Sequence, residues 1–402
     1  MTLLEAKKHL GGRAFSFYDK ETGLLIDNCQ HVLLGCCQDA IGFLTKIGSI
    51  EQVESHKKLN IIGSVDERFE IESSILPAPF HLLPSLVQTR YISTTDKLEL
   101  AGVLGRMALK SPKKGNNARD YLKTLSCSQS LTERIIEPML ISALNEPADK
   151  ASAKYARMVI LKTLLGNKTD YCLGVPKVSL SELIELPVMQ YANERGCEIR
   201  THTRIDRVVM KDNRISYMIS GNGEEIEADI YVCAVPPASL EEMGLPTWGG
   251  EHLIWRSIVS AHLFFDESNP QFDHTCVADE PFQWVFNKSK DIAYIQAVAS
   301  AADDIVGISR NDTIDLAMRA VKRSAPELNN AKMKRAIIYR SKQATFSSDY
   351  TSDAFRPSNA THIQNLFLTG DWIATGWPAT IESAVSSGQT AAKLVLSAYK
   401  RL

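Results

Sequence analysis

The residues with the clearest chemical promise lie near the C-terminus. The apolar run Leu366-Phe367-Leu368-Thr369 ends in Gly370-Asp371, and after a short loop Trp377-Pro378-Ala379-Thr380-Ile381-Glu382 opens a helix. A helix N-terminus offers unpaired N–H groups and a partial positive charge. Such an end stabilises negative charge at the N1/O2 edge of a flavin, and a carboxylate such as Asp371 holds ribityl hydroxyls. Capping by Thr380 explains the helix start on its own. It does not explain the Gly-Asp at the strand end.

The N-terminus carries a second set. Thr2-Leu3-Leu4-Glu5-Ala6 is a short apolar run ending in an acid, and it reads as a buried parallel strand. An acid at the end of such a strand accepts hydrogen bonds from the ribose hydroxyls of an adenosine. A solvated strand-end Glu reads the same way in isolation. Gly11-Gly12-Arg13 follows. Two glycines let the backbone pass close to a cofactor, and a guanidinium meets phosphate. The plainer alternative is a tight turn with a surface Arg.

These residues need a scaffold. Residues 36–48 have the apolar spacing of a helix, and helical patterns recur at 96–109, 117–124, 130–143 and 151–165. Their many Leu, Ile and Met suit either a cap over an apolar cavity or an ordinary helical core. Ser179 to Asn193 is predicted helical with a break near Pro187. Gly196 to Arg200 starts a strand, 203–210 and 214–220 form a hairpin, and Asn222-Gly223 marks a further turn. Ala228 to Val235 reads as a buried strand stopped by Pro236-Pro237. Strands are predicted at 258–265, 292–300 and 366–369, and helices at 311–324 and 380–399. The fold class is therefore α/β, with its α/β material at both ends and in the middle of the chain.

Composition narrows the function. The chain has 402 residues, 45 Lys+Arg against 47 Asp+Glu, and a net charge of −2. That balance argues against a nucleic-acid binder. The 44% hydrophobic and 23% charged fractions are those of a globular protein. The eight cysteines include no C-x-x-C pair, so no metal site is expected, and reduced cytoplasmic thiols fit them best. No run reaches 18 apolar residues, so no spanning helix is expected. The 22 glycines include no G-x-G-x-x-G, the usual mark of a dinucleotide clamp.

The segments Glu5 to Ala14, Asp27-Asn28-Cys29-Gln30-His31-Val32-Leu33-Leu34-Gly35 and Leu366 to Val385 resemble the flavoprotein family of amine oxidases and phytoene desaturases. Leu140 to Asn145, Ser179 to Leu183 and Arg356-Pro357 extend the likeness over nearly the whole chain. Within that family the pattern is similar to a squalene-associated branch. The resemblance implies FAD held by a discontinuous Rossmann-like domain (1–50, 175–240, 360–402) beside a mixed α+β substrate domain (51–174, 241–359). It implies Glu5 at the adenosine ribose, Gly12 and Arg13 at the pyrophosphate, and Ile205 at the adenine. Gly370, Asp371, Ala379, Thr380 and Ile381 would surround the ribityl chain and flavin ring, with Gln30 and His31 nearby. Asp27 and His31 are the candidates for moving a proton.

The implied reaction reduces hydroxysqualene to squalene, with a hydrophobic isoprenoid substrate, peripheral membrane contact and no nucleic-acid partner. Alternatives are an isoprenoid desaturase or isomerase, an amine-oxidase-like flavoenzyme, or a non-catalytic remnant that no longer holds FAD. Two departures stand out. Cys29 occupies a position where the family favours glycine. The family's opening strand-GxGxxG-helix unit, roughly 30 residues, is expected ahead of Thr2, as though the start had been set too far downstream.

Overall fold

The computed structural model describes residues 1–63, 67–266, 270–289 and 291–400. Short parallel pairs appear where distant parts of the chain meet. Strand Thr2–Leu4 lies parallel to Glu198–Arg200, and Tyr231–Cys233 parallel to Leu366–Leu368. Beside them, Ile205–Lys211, Arg214–Ser220 and Glu225–Ile226 form an antiparallel sheet. The helix Ile381–Tyr399 packs against the helix Gln38–Lys46.

Two strand expectations need correction. Thr2 and Leu3 are exposed, because among the described residues this strand pairs along one edge only. A parallel strand is buried when neighbours and helices cover both its edges and faces. Tyr231–Cys233 is likewise shorter than predicted, and Val232 between two buried neighbours is 49% exposed. Pro236-Pro237 ends the strand and starts the helix Pro237–Glu242, where proline's missing N–H is harmless.

A seven-stranded sheet dominates the rest. Its order is Met333–Phe346, Trp255–Phe265, Tyr294–Ala299, Trp284–Asn287, His274–Val277, Lys58–Ile62, Arg68–Glu72. Side chains alternate between its faces. Val259, Ala261 and Leu263 pack with Ala317, Ala320 and Val321 of the helix Arg310–Ser324. Phe264 and Tyr294, on the opposite face, pack on Ile26 of the N-terminal hairpin.

The predicted middle helices form at Thr94–Leu109, Ala118–Thr124, Gln129–Leu131, Glu137–Leu144 and Ala153–Leu165. Their Leu, Ile and Met side chains make an ordinary core: Val103, Met107, Leu122, Leu131, Leu140 and Ile160 are buried together. Ser93 and Asp96 start the first of these helices with a capping box. The break expected at Pro187 falls just before it. A π turn at Ser181–Glu185 precedes the α-helix Leu186–Asn193. The widened turn takes up the hydrogen bond that proline cannot donate.

Candidate cofactor and active site

Glu5 is fixed by its backbone. Its N–H donates to the Arg200 carbonyl at 3.0 Å, and its own carbonyl accepts from Thr203 at 2.9 Å. One carboxylate oxygen accepts the Lys7 N–H at 2.8 Å. The turn that receives Glu5 runs directly into Ile205, which pairs with Ser220. The two residues expected at an adenosine therefore share one edge of the fold.

Gly11 and Gly12 both have positive φ, +96° and +63°. A Cβ on Gly11 would sit 2.3 Å from the Ala14 carbonyl oxygen, which rules out any side chain there. A Cβ on Gly12 would meet nothing within 4 Å, so this turn presents bare backbone to open space. Arg13 follows, and its Nη2 bonds Asp371 Oδ1 at 2.5 Å while Nη1 bonds the Ala344 carbonyl at 3.1 Å. The guanidinium also lies 5.2 Å from the Trp255 ring centre and 5.4 Å from that of Phe346. The two charges expected to meet different parts of a cofactor thus meet each other.

Gly370 has φ +136°, and a Cβ there would lie 2.8 Å from the ring of Trp372, a buried side chain. The Gly370 N–H donates to Ser387 Oγ at 2.9 Å, which ties the strand end to the following helix. Thr380 is the N-cap of that helix, its Oγ1 accepting the Ser383 N–H at 3.4 Å. The N–H groups of Ile381 and Glu382 have no acceptor among the described residues. Ala379 is buried beside them. The Glu382 carboxylate turns away and accepts the N–H groups of Asp39 (3.1 Å) and Ala40 (2.8 Å). It thereby caps the helix Gln38–Lys46, and burial raises its pKa.

Arg356 organises this loop. Its side chain is 4% exposed. It donates to the carbonyls of Asp371 (2.5 Å), Trp377 (2.5 Å) and Trp372 (3.4 Å), to Ser383 Oγ (3.1 Å) and to Tyr155. Sequence reading singled out Arg356 only as part of a likeness. Bonds to backbone carbonyls leave no residue-type signal to find.

The third cluster surrounds Asp27. Its Oδ1 accepts from Ser16 Oγ and the Leu180 N–H, both at 2.8 Å, and its Oδ2 lies 3.6 Å from Lys288 Nζ. Lys288 also donates to Gln30 Oε1 at 2.6 Å. Burial lowers the Lys288 pKa, and Asp27 partly opposes that. In the sequence Lys288 sits in Asn287-Lys288-Ser289-Lys290-Asp291, which reads as a solvated turn. Nothing there signals a buried cation.

His31 Nδ1 lies 3.1 Å from the Cys29 carbonyl. A carbonyl only accepts, so Nδ1 carries the proton and Nε2 its lone pair. Burial lowers the His31 pKa and keeps the ring neutral near pH 7. His31 lines a small apolar cavity of about 30 Å3 with Leu33, Phe43, Leu180 and Ile381. A larger surface cleft of about 450 Å3 beside Glu21 and Arg310 shares no residue with this site. Cys29, where glycine is usual, does not have positive φ, so its side chain fits without strain. Burial pushes its thiol up to about 12, and all eight cysteines are free. Beyond Asp27 the sheet presents a neutral polar chain: Tyr294 Oη to His262 Nδ1 at 2.8 Å, His262 Nε2 to Ser260 Oγ at 3.3 Å, and Gln296 Nε2 to Ser260 Oγ at 2.8 Å.

The donor set fits a flavin dinucleotide: a strand-end acid, bare glycine backbone beside a guanidinium, and a helix end with free N–H groups next to a carboxylate. No cluster of His, Cys, Asp or Glu among the described residues has the arrangement of a metal site.

Known proteins give the same answer. The chain is 28% identical to the hydroxysqualene dehydroxylase of Zymomonas mobilis subsp. mobilis, over 98% of this chain and 93% of that one. It is 29% identical to that of Sinorhizobium fredii, over 98% and 92%. The crystal structure of an oxidoreductase from Methanosarcina mazei shares the fold, with a TM-score of 0.72 at 14% identity over 98% of this chain and 94% of that one. The cofactor is FAD and the protein is an oxidoreductase. The family model for flavin containing amine oxidoreductases matches residues 1–396, and the chain belongs to that family.

Proposed function

We propose that the protein reduces hydroxysqualene to squalene by removing its hydroxyl group. The observation that carries this reading is the likeness to two hydroxysqualene dehydroxylases along 98% of the chain. Residues 1–50, 175–240 and 360–402 form the cofactor part in this reading, and 51–174 with 241–359 the substrate part. Bound FAD, in its reduced form, supplies a hydride to carbon.

The chain's own residues supply the rest. Glu5 and Ile205 would hold the adenosine end, Gly12 and Arg13 the pyrophosphate, and Gly370, Asp371, Ala379, Thr380 and Ile381 the flavin end with Gln30 and His31 nearby; Arg13 then shares its guanidinium between phosphate and Asp371. Phe264, Tyr294 and Ile337 pack with Ile26 into an apolar cluster on the sheet face that also carries His262, Ser260 and Gln296, and that packing helps keep water out. Asp27 accepts from Ser16 Oγ and the Leu180 N–H and faces the Lys288 ammonium. His31 is neutral. Lys288, its ammonium loosened by burial and one proton directed at Gln30, is the group suited to protonate the departing hydroxyl. An isoprenoid substrate also makes peripheral contact with a bilayer expected. No helix among the described residues is long and apolar enough to cross one.

The test incubates the flavin-loaded protein with hydroxysqualene and a reductant and analyses the products by mass. Squalene, with the hydroxyl replaced by one hydrogen and the mass lowered by one oxygen, is the expected product; the hydroxyl leaves with a proton as water. A desaturated product, or none from a flavin-bearing protein, overturns the reading.

A further inference from the structure

The surface at Ser74–Gln88 is unlike the rest of the molecule. Every residue from Ile75 to Phe80 (Ile-Leu-Pro-Ala-Pro-Phe) is exposed, and none is polar. Ile75 is 97% exposed and Phe80 58%. The helix Leu83–Gln88 continues the patch, with Leu83 and Val87 one turn apart and both exposed. The loop is closed at its neck by the Ser74 N–H, which donates to the His81 carbonyl at 2.8 Å.

Its backbone is also unusual. Pro77 and Pro79 have no N–H. The Phe80 N–H is bonded to the Pro77 carbonyl (2.9 Å), and that of Leu76 to Ser74 Oγ (3.2 Å). The carbonyls of Ser74 and Ile75 accept from Lys168 Nζ at 3.2 and 2.9 Å. Few polar groups at the tip therefore lose water on entering an apolar medium, where each unsatisfied one costs several kcal/mol.

Charge identifies the partner. No Asp or Glu lies between Ser73 and Thr95. Arg90 is exposed at the end of the patch. Lys97 reaches the carbonyls of Val87 and Thr89, both at 2.6 Å, so its ammonium sits at the patch edge, as that of Lys168 does at the neck. An apolar tip that carries no acid of its own, with cations at its edges and Glu72 behind it against Ser85, matches the interface of an anionic bilayer.

We propose that Ile75–Phe80, with Leu83 and Val87, inserts into the interfacial layer of an anionic membrane while Arg90, Lys97 and Lys168 lie at headgroup level. The purpose of this docking, access to a membrane-dissolved hydrocarbon, rests on the isoprenoid reading above. The surface itself is argued from exposure and charge.

The test is co-sedimentation of the flavin-loaded full chain with phosphatidylcholine vesicles, with and without phosphatidylglycerol. Three proteins are compared: wild type, the double variant Ile75→Ser/Phe80→Ser, and Arg90→Glu. Flavin absorbance and thermal unfolding verify that each is folded. Wild type binds the anionic vesicles, Ile75→Ser/Phe80→Ser at least about tenfold more weakly, and Arg90→Glu more weakly at low salt. Equal binding by wild type and the double variant overturns the proposal. So does failure of folded wild type to bind either vesicle, or a patch-dependent dimer in sedimentation equilibrium without vesicle binding. Binding is read without turnover, so an inactive protein that still docks refutes only the reaction, and an active one that does not dock refutes only the surface.

Discussion

Replacing Arg356 by Met removes the guanidinium and keeps most of the side-chain volume. In the structure that guanidinium serves the carbonyls of Asp371, Trp372 and Trp377 from a nearly sealed position. Each buried carbonyl left without a donor costs about 1–3 kcal/mol. Water entering the vacated space recovers part of this, so a net loss of about 3–6 kcal/mol is expected for the loop. Those carbonyls shape the segment leading into Thr380, which places the loss in the proposed cofactor site. About 3 kcal/mol corresponds to roughly a hundredfold weaker flavin binding. Flavin titration of the apoprotein, followed by fluorescence, measures it directly. Arg356→Lys keeps the charge and one or two bonds, and should fall between. If Arg356→Met binds flavin within about threefold of wild type, the clamp is not what shapes the loop.

Four further outcomes follow from the geometry. Burial drives the His262 pKa from 6.5 down to about 3. Between those values the unfolded chain holds a proton that the folded chain excludes, so stability rises with pH across this window and falls on acidification. At pH 4.5 the loss from His262 is about 2–3 kcal/mol, and urea unfolding of His262→Gln should show a drop between pH 7 and 4.5 smaller by that amount. Lys288→Met leaves the Asp27 carboxylate buried without its cation and costs about 3–5 kcal/mol. Adding Asp27→Asn should recover much of it, and a strictly additive double variant would refute the coupling. Gly370→Ala forces a Cβ against Trp372 at positive φ; a loss of about 1–3 kcal/mol is expected in denaturant unfolding. Gly12→Ala meets no neighbour. Its folding should change by about 1 kcal/mol, and if the turn holds the pyrophosphate as proposed, flavin binding weakens far more.

Much of the site is visible in the sequence because its devices depend on residue type. The strand, Gly370-Asp371 and a Thr380-capped helix need those residues in that order, and they form as expected. Helix boundaries such as Thr94–Leu109 and Arg310–Ser324 fall close to their periodic patterns because one apolar face must be buried. What escaped depends on contacts between distant parts of the chain. Lys58–Ile62 joins His274–Val277 in the large sheet, and no local pattern announces a partner so far away. Lys288 has no local signal, because its burial comes from its packing against Asp27 and Gln30. Arg356 acts on carbonyls that every residue possesses. The burial predicted for Thr2–Leu4 failed for a related reason: apolar composition states a preference, and only neighbouring strands can satisfy it.

The Glu382 carboxylate sets a timetable. It caps the N–H groups of Asp39 and Ala40 from 343 and 342 residues further along the chain. Arg13 waits similarly for Asp371, 358 residues away. At ribosomal speeds of about 5–20 residues per second, these particular contacts wait roughly 20–70 s during synthesis. The Glu382 and Asp371 contacts are thus a latch, closed last over a segment whose hairpin and mid-chain pairings are complete much earlier.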